Sequence, residues 1–206
     1  MLIAGAKGHA KEVLEIIPRA EWDTLVFYDD LSSDTDRLFD RFRILQSPAE
    51  AKAYFHHDPH FILGIGNPFL RKQFAQKLTS YGGKLVSVIA PNASIGSFNV
   101  NLEAGLNIMN GVMISNDTYI GEGTLINARA CIHHDCRIGN YCEIGPGSII
   151  TGECEVNNNT IIGAGAIVRP NIIIGYNVVI GAGAVVINNV ADNLVIAGVP
   201  AKGINS

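Results

Sequence analysis

The most regular feature of the sequence is an aliphatic residue at every sixth position across its second half. From Leu102 to Val186, fifteen consecutive sixth positions hold Leu, Ile or Val. Neither the 3.6-residue period of a helix nor the two-residue period of a strand produces this pattern. A fixed short repeat is typical of a solenoid, and a six-residue unit with one aliphatic predicts a β-helix. With three units per coil, we expect a triangular prism of about 18 residues per turn whose stacked aliphatics form the core.

Small residues occupy two further places in the repeat. A glycine follows the aliphatic in many units, at Gly121, Gly139, Gly145, Gly163, Gly175 and Gly181. We expect a tight corner there, where a residue without a Cβ fits. Small residues also recur four places after the aliphatic, and Cys136, Cys142 and Cys154 are among them. Because free cysteine behaves as a small hydrophobe, we predict that these three pack in the core and favour this over disulfides or a metal site.

The first part of the chain does not repeat and alternates apolar segments with helical patterns. Residues 2–4, 24–28 and 61–66 are apolar and predict buried strands. Ser47-Pro48 and Asn67-Pro68 are helix-start signals, each with a capping side chain before a proline. This alternation predicts a small parallel α/β sheet.

Several residues of this first part suit a phosphorylated ligand. Residues 5–10 join a strand to a helix through glycines, an arrangement that aims backbone N–H groups at a phosphate, although the full dinucleotide fingerprint is not met. Asp29 and Asp30 follow the second strand, where an acidic residue commonly meets a ribose or base edge; alternatively, they are solvated loop carboxylates. Gly64 and Gly66 either let backbone approach a ligand or ease the packing of the strand.

One unit of the repeat departs from the others. It places His133, His134 and Asp135 where other units have glycine, asparagine or another small residue. The unperturbed pKa of histidine suits proton transfer near neutrality, and a neighbouring carboxylate orients the ring. The alternative is that the two histidines have no function and lie on a solvent-exposed corner. Polar bulk at a tight corner favours a functional site.

The repeat, the His-Asp corner and a Gly-Val-Pro-Ala-Lys segment at 198–202 resemble the left-handed β-helix acyltransferases of the hexapeptide type. The whole chain resembles a narrower family, the nucleotide-sugar N-acetyltransferases of the bacillosamine and perosamine pathways, which are related to sialic-acid O-acetyltransferases. The residues that carry this resemblance are 5–9, 27–30, 64–67, Arg71-Lys72, Asn127, 134–135 and 198–202.

The resemblance implies a fold in two parts. Residues 1–83 are expected to form a Rossmann-like small parallel sheet that binds a nucleotide sugar. Residues 84–206 are expected to form a left-handed parallel β-helix with a C-terminal tail. We place the joint at Gly82-Gly83, and residues 85–89 are predicted as the last strand before the coil.

The resemblance also implies roles for individual residues. His134 is implied as the general base, Asp135 as the group that raises its basicity, Asn127 as a residue that orients substrate or base, and the Gly152 amide as a neighbour of the thioester oxygen. The residues implied to hold the nucleotide and its diphosphate are Lys7, Gly8, His9, Asp29, Asp30 and Gly66. Acetyl-CoA is expected to run past Glu143, Ala164 and Ala182, and relatives can carry a histidine in place of Glu143.

The expected reaction is direct attack of a neutral amine of a nucleotide-linked 4-amino-4,6-dideoxy sugar on acetyl-CoA. No metal is expected to take part, and the protein is expected to be a homotrimer.

One alternative is O-acetylation of a sialic-acid-type sugar. A hydratase of the carbonic-anhydrase type is less favoured, because it needs three spaced histidines and the coil has only His133 and His134. A nucleotide-sugar-binding regulatory module is the non-enzyme alternative. The sequence fits uracil, thymine and guanine equally as the base of the nucleotide.

Composition and charge indicate which classes of partner and which cellular compartment to expect. The chain has 206 residues, a net charge of −4 and no basic run, which argues against nucleic acid. Its start lacks the basic segment and long apolar run of a signal peptide, so we expect a cytoplasmic protein. The apolar residues 178–201 keep the six-residue register and contain Gly, Asn and Asp, which favours a buried coil over a membrane span.

Overall fold

The computed structural model describes residues 1–31 and 35–204, and it has two regions that differ in architecture. The first is a parallel α/β sheet with helices, and the second is a long parallel β-helix. Both parts of the predicted fold class are therefore confirmed.

The N-terminal region is a six-stranded sheet in the order β3-β4-β2-β1-β5-β6. Its strands are β1 Leu2–Ala4, β2 Val26–Tyr28, β3 Arg37–Leu38, β4 Phe42–Leu45, β5 His60–Leu63 and β6 Lys84–Leu85. Its helices are α1 Gly8–Leu14, α2 Pro48–Phe55 and α3 Pro68–Ser80, with a 3-10 helix at Arg19–Thr24. The pairs are parallel except for β3 with β4. The sequence pattern did not predict β3 or β4.

The two predicted helix starts are confirmed by their caps. Ser47 Oγ accepts from the Glu50 N–H at 3.3 Å, and Asn67 Oδ1 accepts from the Leu70 N–H at 3.1 Å. Each side chain satisfies one of the backbone donors that a helix leaves unpaired at its start. The Glu50 carboxylate also accepts from the Gln46 N–H at 3.0 Å, one residue before the cap.

The second region is built from two-residue strands, each ending on one of the periodic aliphatics. These are β7 Val88–Ile89, β8 Ser94–Ile95, β9 Asn101–Leu102, β10 Asn107–Ile108, β11 Met113–Ile114, β12 Tyr119–Ile120, β13 Leu125–Ile126, β14 Cys131–Ile132, β15 Arg137–Ile138, β16 Glu143–Ile144, β17 Ile149–Ile150, β18 Glu155–Val156, β19 Ile161–Ile162, β20 Ile167–Val168, β21 Ile173–Ile174, β22 Val179–Ile180 and β23 Val185–Val186. The tail adds β24 Val195–Ala197 and β25 Lys202–Gly203. Ile108 pairs with Ile126 and Ile126 with Ile144, so the predicted three-unit coil is confirmed.

Every third strand joins the same sheet, and the three sheets form the faces of a prism. The docked face (β7, β10, β13, β16, β19, β22) packs on the N-terminal region through Val88, Met109 and Leu125. The apolar face (β8, β11, β14, β17, β20, β23) points Met113, Ile149 and Val185 outward. The polar face consists of β9, β12, β15, β18 and β21. We name each prism edge by the two faces that it joins.

A Cβ would not fit at the glycines after the aliphatics, as predicted, and the reason is the contact with the next coil. They do not adopt positive φ; a Cβ on Gly163 would instead lie 2.6 Å from both the Ala182 nitrogen and the Ile180 oxygen of the next coil. Positive φ occurs two residues further on, as at Gly165 (φ +65°) and Asp135 (φ 58°). The close approach of stacked coils therefore requires these glycines.

The three inward cysteines pack in the core, as predicted. Cys136 and Cys142 are fully buried and Cys154 nearly so, and all are free thiols in the aliphatic cluster of the prism. The Cys142 thiol points to the Asn157 carbonyl oxygen at 3.2 Å.

The strand expected at residues 85–89 is two strands in two sheets. β6 pairs with β5 of the N-terminal sheet, whereas β7 pairs with β10 of the docked face. The N-terminal sheet thus extends past the proposed joint at residue 83, and the division into 1–83 and 84–206 stays a prediction.

Candidate functional site

A cleft opens where β1, β2 and β5 end, which is the side on which parallel sheets bind ligands. Its volume is about 350 Å³. The residues that line it are Gly5, Ala6, Lys7, Gly8, His9, Asp29, Leu31, Gly64, Ile65, Gly66, Asn67, Leu70 and Phe74. Five of the six residues predicted to bind the nucleotide therefore lie together, and Asp30 is the exception.

The glycines of the cleft have separate roles. Gly5 has a φ of +95°, and a Cβ there would lie 3.0 Å from the Gly64 carbonyl oxygen, so it allows two segments to pass closely. A Cβ on Gly64 would lie 2.8 Å from the Cβ of Ala10, which supports the packing interpretation at that position. A Cβ on Gly66 would meet nothing within 4 Å. The same holds for Gly8, so Gly8 and Gly66 are the cleft glycines that leave open space for a ligand.

His9 connects the cleft to the β-helix. Its side chain is only 8% exposed, with Nε2 3.0 Å from Asn107 Nδ2 and Nδ1 3.2 Å from Glu12 Oε2. Because an amide nitrogen donates, Nε2 accepts, and the ring proton sits on Nδ1 facing Glu12. Burial lowers the pKa of His9 below its usual value, which favours this neutral ring. Asn107, on β10, also donates to the Leu63 carbonyl.

The two aspartates after β2 point in different directions. Asp29 is buried, and its Oδ1 accepts from the Leu31 N–H at 3.0 Å. Asp30 turns towards α3, where it forms an ion pair with Lys77 and accepts from the Tyr28 hydroxyl at 2.9 Å. Asp29 thus lines the cleft, whereas Asp30 is held by its neighbours.

Arg71 holds the cleft in place, and the sequence indicated no role of its own for it. It is fully buried on α3. Its Nε donates to the Gly123 carbonyl at 2.7 Å and Nη2 to the Cys142 carbonyl at 2.6 Å, while Nη1 donates to the Ile65 carbonyl at 3.1 Å and to that of Gly66. Burial lowers the pKa of Arg71 to about 10, which still leaves it charged at neutrality. One cation therefore fixes the cleft segment to two successive coils.

The predicted catalytic corner lies on the apolar–polar edge. His134 Nδ1 is 2.7 Å from Asp135 Oδ2, and both side chains are more than half exposed. Gly152 stands one coil further on and is buried. A Cβ on Gly152 would lie 2.5 Å from His134 Cε1, so the ring covers this glycine. The structure thus brings His134, Asp135 and Gly152 together and leaves Nε2 of His134 available to a substrate.

The other predicted site residues lie elsewhere on the prism. Asn127 follows β13 and stands on the docked–apolar edge, and Ala164 and Ala182 occupy the same edge in later coils. Glu143 points outward from the docked face, where burial raises its pKa while the charge of Arg71 opposes this effect. Within one chain, Asn127 and His134 bound opposite sides of the apolar face.

Two features are absent from residues 1–31 and 35–204. No helix there is long and apolar enough to cross a membrane. No three side chains of His, Cys, Asp or Glu are grouped so as to hold a metal ion.

Known proteins match both halves of the chain. Residues 1–78 match the PglD N-terminal domain, and residues 117–152 match the bacterial transferase hexapeptide family of six repeats. A histidine-to-asparagine variant of perosamine N-acetyltransferase from Caulobacter crescentus, solved with CoA and GDP-perosamine, is 30% identical; the match covers 100% of this chain and 96% of that one, with a TM-score of 0.87. The chain belongs to the left-handed β-helix sugar N-acetyltransferases.

Two further structures are similar to this acetyltransferase. The acetyltransferase domain of PglB from Neisseria gonorrhoeae, solved with acetyl coenzyme A, is 26% identical over 98% of both chains, with a TM-score of 0.85. WeeI from Acinetobacter baumannii is 24% identical over 98% of both chains, with a TM-score of 0.88, and supports the fold alone. The expected family and acyltransferase class are thus confirmed, whereas the roles of single residues stay predictions.

One signal in the sequence could have identified Arg71. It lies on the same face of α3 as Phe74, Ala75 and Leu78, at the three- and four-residue spacing of a buried helix face. A charged side chain in such a stripe needs buried acceptors. The spacing does not reveal which groups those acceptors are, because they belong to the loop before α3 and to two coils of the β-helix.

Proposed function

We propose that this acetyltransferase transfers the acetyl group of acetyl-CoA to the amino group of a nucleotide-linked 4-amino-4,6-dideoxy sugar. The observation that carries the proposal is the His134–Asp135 pair over Gly152, in a chain whose other half holds a cleft lined by Lys7 and His9. The sugar class is supported by the similarity to perosamine N-acetyltransferase, which was solved with GDP-perosamine.

The proposed mechanism is direct attack with general-base catalysis. The neutral amine attacks the thioester carbonyl carbon, and Nε2 of His134 takes a proton as the C–N bond forms. Asp135, hydrogen-bonded to Nδ1, orients the ring and stabilises the imidazolium. The Gly152 N–H donates to the developing oxyanion. Attack and proton transfer give a tetrahedral intermediate. Its collapse breaks the C–S bond, and the imidazolium returns the proton to the CoA thiolate.

The two substrates are proposed to bind to different parts of the chain. The nucleotide and diphosphate bind in the cleft, where Lys7 supplies a cation and Gly66 leaves room. Acetyl-CoA lies along the docked–apolar edge past Ala164 and Ala182, with Glu143 beside it. Holding both reactants side by side supplies the effective concentration, so no acyl-enzyme is needed.

A homotrimer is proposed because one chain does not bring these parts together. The N-terminal region covers the docked face, whereas His134 stands on the edge opposite that face. The apolar face also exposes part of Ile167, and the strands on either side of it begin with the aliphatic residues Ile149 and Val185, which suits burial against another chain. A closed ring would place the cleft and Asn127 of one subunit beside His134 of the next.

The test is CoA release from acetyl-CoA with a panel of UDP-, dTDP- and GDP-linked 4-amino sugars. We expect turnover with one member and a product that resists hydroxylamine, because an amide does not react as an ester does. A hydroxylamine-sensitive product would instead indicate O-acetylation. Acetyl-CoA binding without turnover on any member would place the acceptor outside this sugar class and contradict the proposal.

A further inference from the structure

Corners of the prism are tied to the next coil by a side-chain hydrogen bond. At four corners, a backbone N–H donates to Oδ1 of the asparagine or aspartate that stands at the same corner one coil on. The pairs are Phe98 with Asn116 at 3.1 Å, Glu122 with Asn140 at 2.9 Å, Asn140 with Asn158 at 2.8 Å and Tyr176 with Asp192 at 2.9 Å. These bonds satisfy donors that the turn would otherwise leave unpaired.

We call this series of side-chain hydrogen bonds between successive coils the ladder. It is interrupted at the proposed catalytic edge. After Asn116, the residues at the same corner of successive coils are His134, Gly152 and Pro170. Pro170 stands where an acceptor for the Gly152 N–H would be, and its side chain has none. Among residues 1–31 and 35–204, no group accepts from that N–H, although Gly152 is buried. A buried donor without a partner costs roughly 1–3 kcal/mol of stability. An unpaired N–H at Gly152 therefore needs an explanation.

The ladder is also missing along the part of the docked–apolar edge that the proposed reaction uses. The corner position there holds Asn110 in the coil of β10, and then Ala128, Pro146, Ala164 and Ala182 from the coil of β13 onward. The last four have no side-chain acceptor, and they follow the proposed path of acetyl-CoA. The polar–docked edge, to which no substrate is assigned, carries three of the four ladder bonds.

We infer that Pro170 is a positioning residue that keeps the Gly152 N–H available to the thioester oxyanion. Proline suits the position on two grounds. Its fixed φ fits the first central place of a turn whose next residue, Asn171, has a φ of 62°. It also forms this turn without a side-chain acceptor that would compete with the oxyanion. The inference rests on the proposed function, in which Gly152 is the oxyanion donor.

The test compares four variants, three at Pro170 and one control at Tyr176, by steady-state kinetics and thermal unfolding. Pro170→Asn adds the ladder acceptor, and Pro170→Ala removes the ring without adding one. We expect kcat of Pro170→Asn to lie about 100-fold below that of Pro170→Ala, the lower end of the effect of losing one oxyanion donor. KM for acetyl-CoA should be similar in the two, and the Tm of Pro170→Asn should be no lower.

Tyr176→Asn is the matched control. It adds the same kind of acceptor one coil after Asn158, on the polar–docked edge, and should leave kcat unchanged. Pro170→Asp is a second test variant, because Asp192 accepts the equivalent bond from Tyr176.

The possible results separate the inference from the function on which it rests. Equal kcat for Pro170→Asn, Pro170→Asp and Pro170→Ala, in folded proteins, would overturn the role of Pro170 while His134→Ala still abolished turnover. Full turnover in His134→Ala would instead remove the proposed function itself. A kcat loss in Tyr176→Asn as large as in Pro170→Asn would also overturn the inference, because the effect would then not depend on Gly152.

Discussion

Arg71 Nη2 donates to the Cys142 carbonyl at 2.6 Å and so joins the last helix of the N-terminal region to the β-helix. The same guanidinium holds the carbonyls of Ile65 and Gly66, which line the cleft. Gly123 and Cys142 precede two successive strands of the docked face, and His134 lies between them in the sequence. The cleft is therefore fixed at the level of the coil that carries the catalytic corner.

Replacing Arg71 with methionine should destabilise the protein strongly. The buried carbonyls of Gly123 and Cys142 and the half-buried carbonyls of Ile65 and Gly66 would lose their donor. The loss should exceed about 3 kcal/mol, since each unsatisfied buried group costs about 1–3 kcal/mol. Urea unfolding measures the effect. Gln73→Met, on an exposed turn of the same helix, is the control and should unfold close to the wild type. Equal midpoints for the two variants would show that the guanidinium contacts contribute nothing.

The buried ring of His9 should make stability depend on pH. Burial lowers its pKa in the folded chain, so the unfolded chain binds the proton more readily. The stability is therefore complete above the ordinary histidine pKa of about 6.5 and falls as the pH falls towards the lowered value. Urea midpoints at about pH 7.5 and 5.5 should differ more in the wild type than in His9→Gln. The exposed His60→Gln should keep the wild-type difference; if it also abolished that difference, His9 would not be the cause.

Two glycines of one corner should tolerate alanine differently. Gly163→Ala would push a Cβ against the next coil, 2.6 Å from the Ala182 nitrogen, and should lower the free energy of unfolding by more than about 2 kcal/mol. Gly165→Ala has open space but a φ of +65°, and should lower it by roughly 1 kcal/mol. The reverse order in chemical denaturation would mean that φ, and not coil stacking, selects these glycines.

Mixed oligomers should show whether sites form between subunits. His134→Ala disables the catalytic corner, and Gly66→Trp fills the cleft, so each variant alone should be inactive. Random mixing should restore about a quarter of wild-type activity, because one site in four pairs an intact cleft with an intact corner. Mixing His134→Ala with His134→Gln is the control and should restore none. No recovery with the first pair would place cleft and corner of the same chain in one site.

The sequence predicted those features that depend on the repeat. Because each coil has three six-residue units, residues 18 apart stack, and Ile108, Ile126 and Ile144 follow directly from the period. The same register brings Gly152 next to His134. The local signals of Ser47 and Asn67 likewise placed two helix starts, since a cap involves only neighbouring residues.

The contacts between the two regions could not be predicted in the same way. The hydrogen bond of Arg71 to the Cys142 carbonyl and the contact of His9 with Asn107 join segments that no periodicity relates. The need for glycine at the corners was predicted, but its neighbour in the next coil was not, because the sequence does not reveal how closely the coils approach. The short strands β3 and β4 were not predicted, because their hydrophobic pattern is too short to be distinguished from that of a loop.

The most direct test of the proposed reaction is the kcat of His134→Ala beside that of His133→Ala, with acetyl-CoA and the accepted 4-amino sugar nucleotide. His133 is the adjacent imidazole but has no carboxylate at Nδ1 among the described residues, so it is the matched control. We predict that His134→Ala lowers kcat by about 10²- to 10⁴-fold, the usual contribution of a general base, while His133→Ala stays close to the wild type. Equal activity of the two variants would contradict the assignment of His134 as the base.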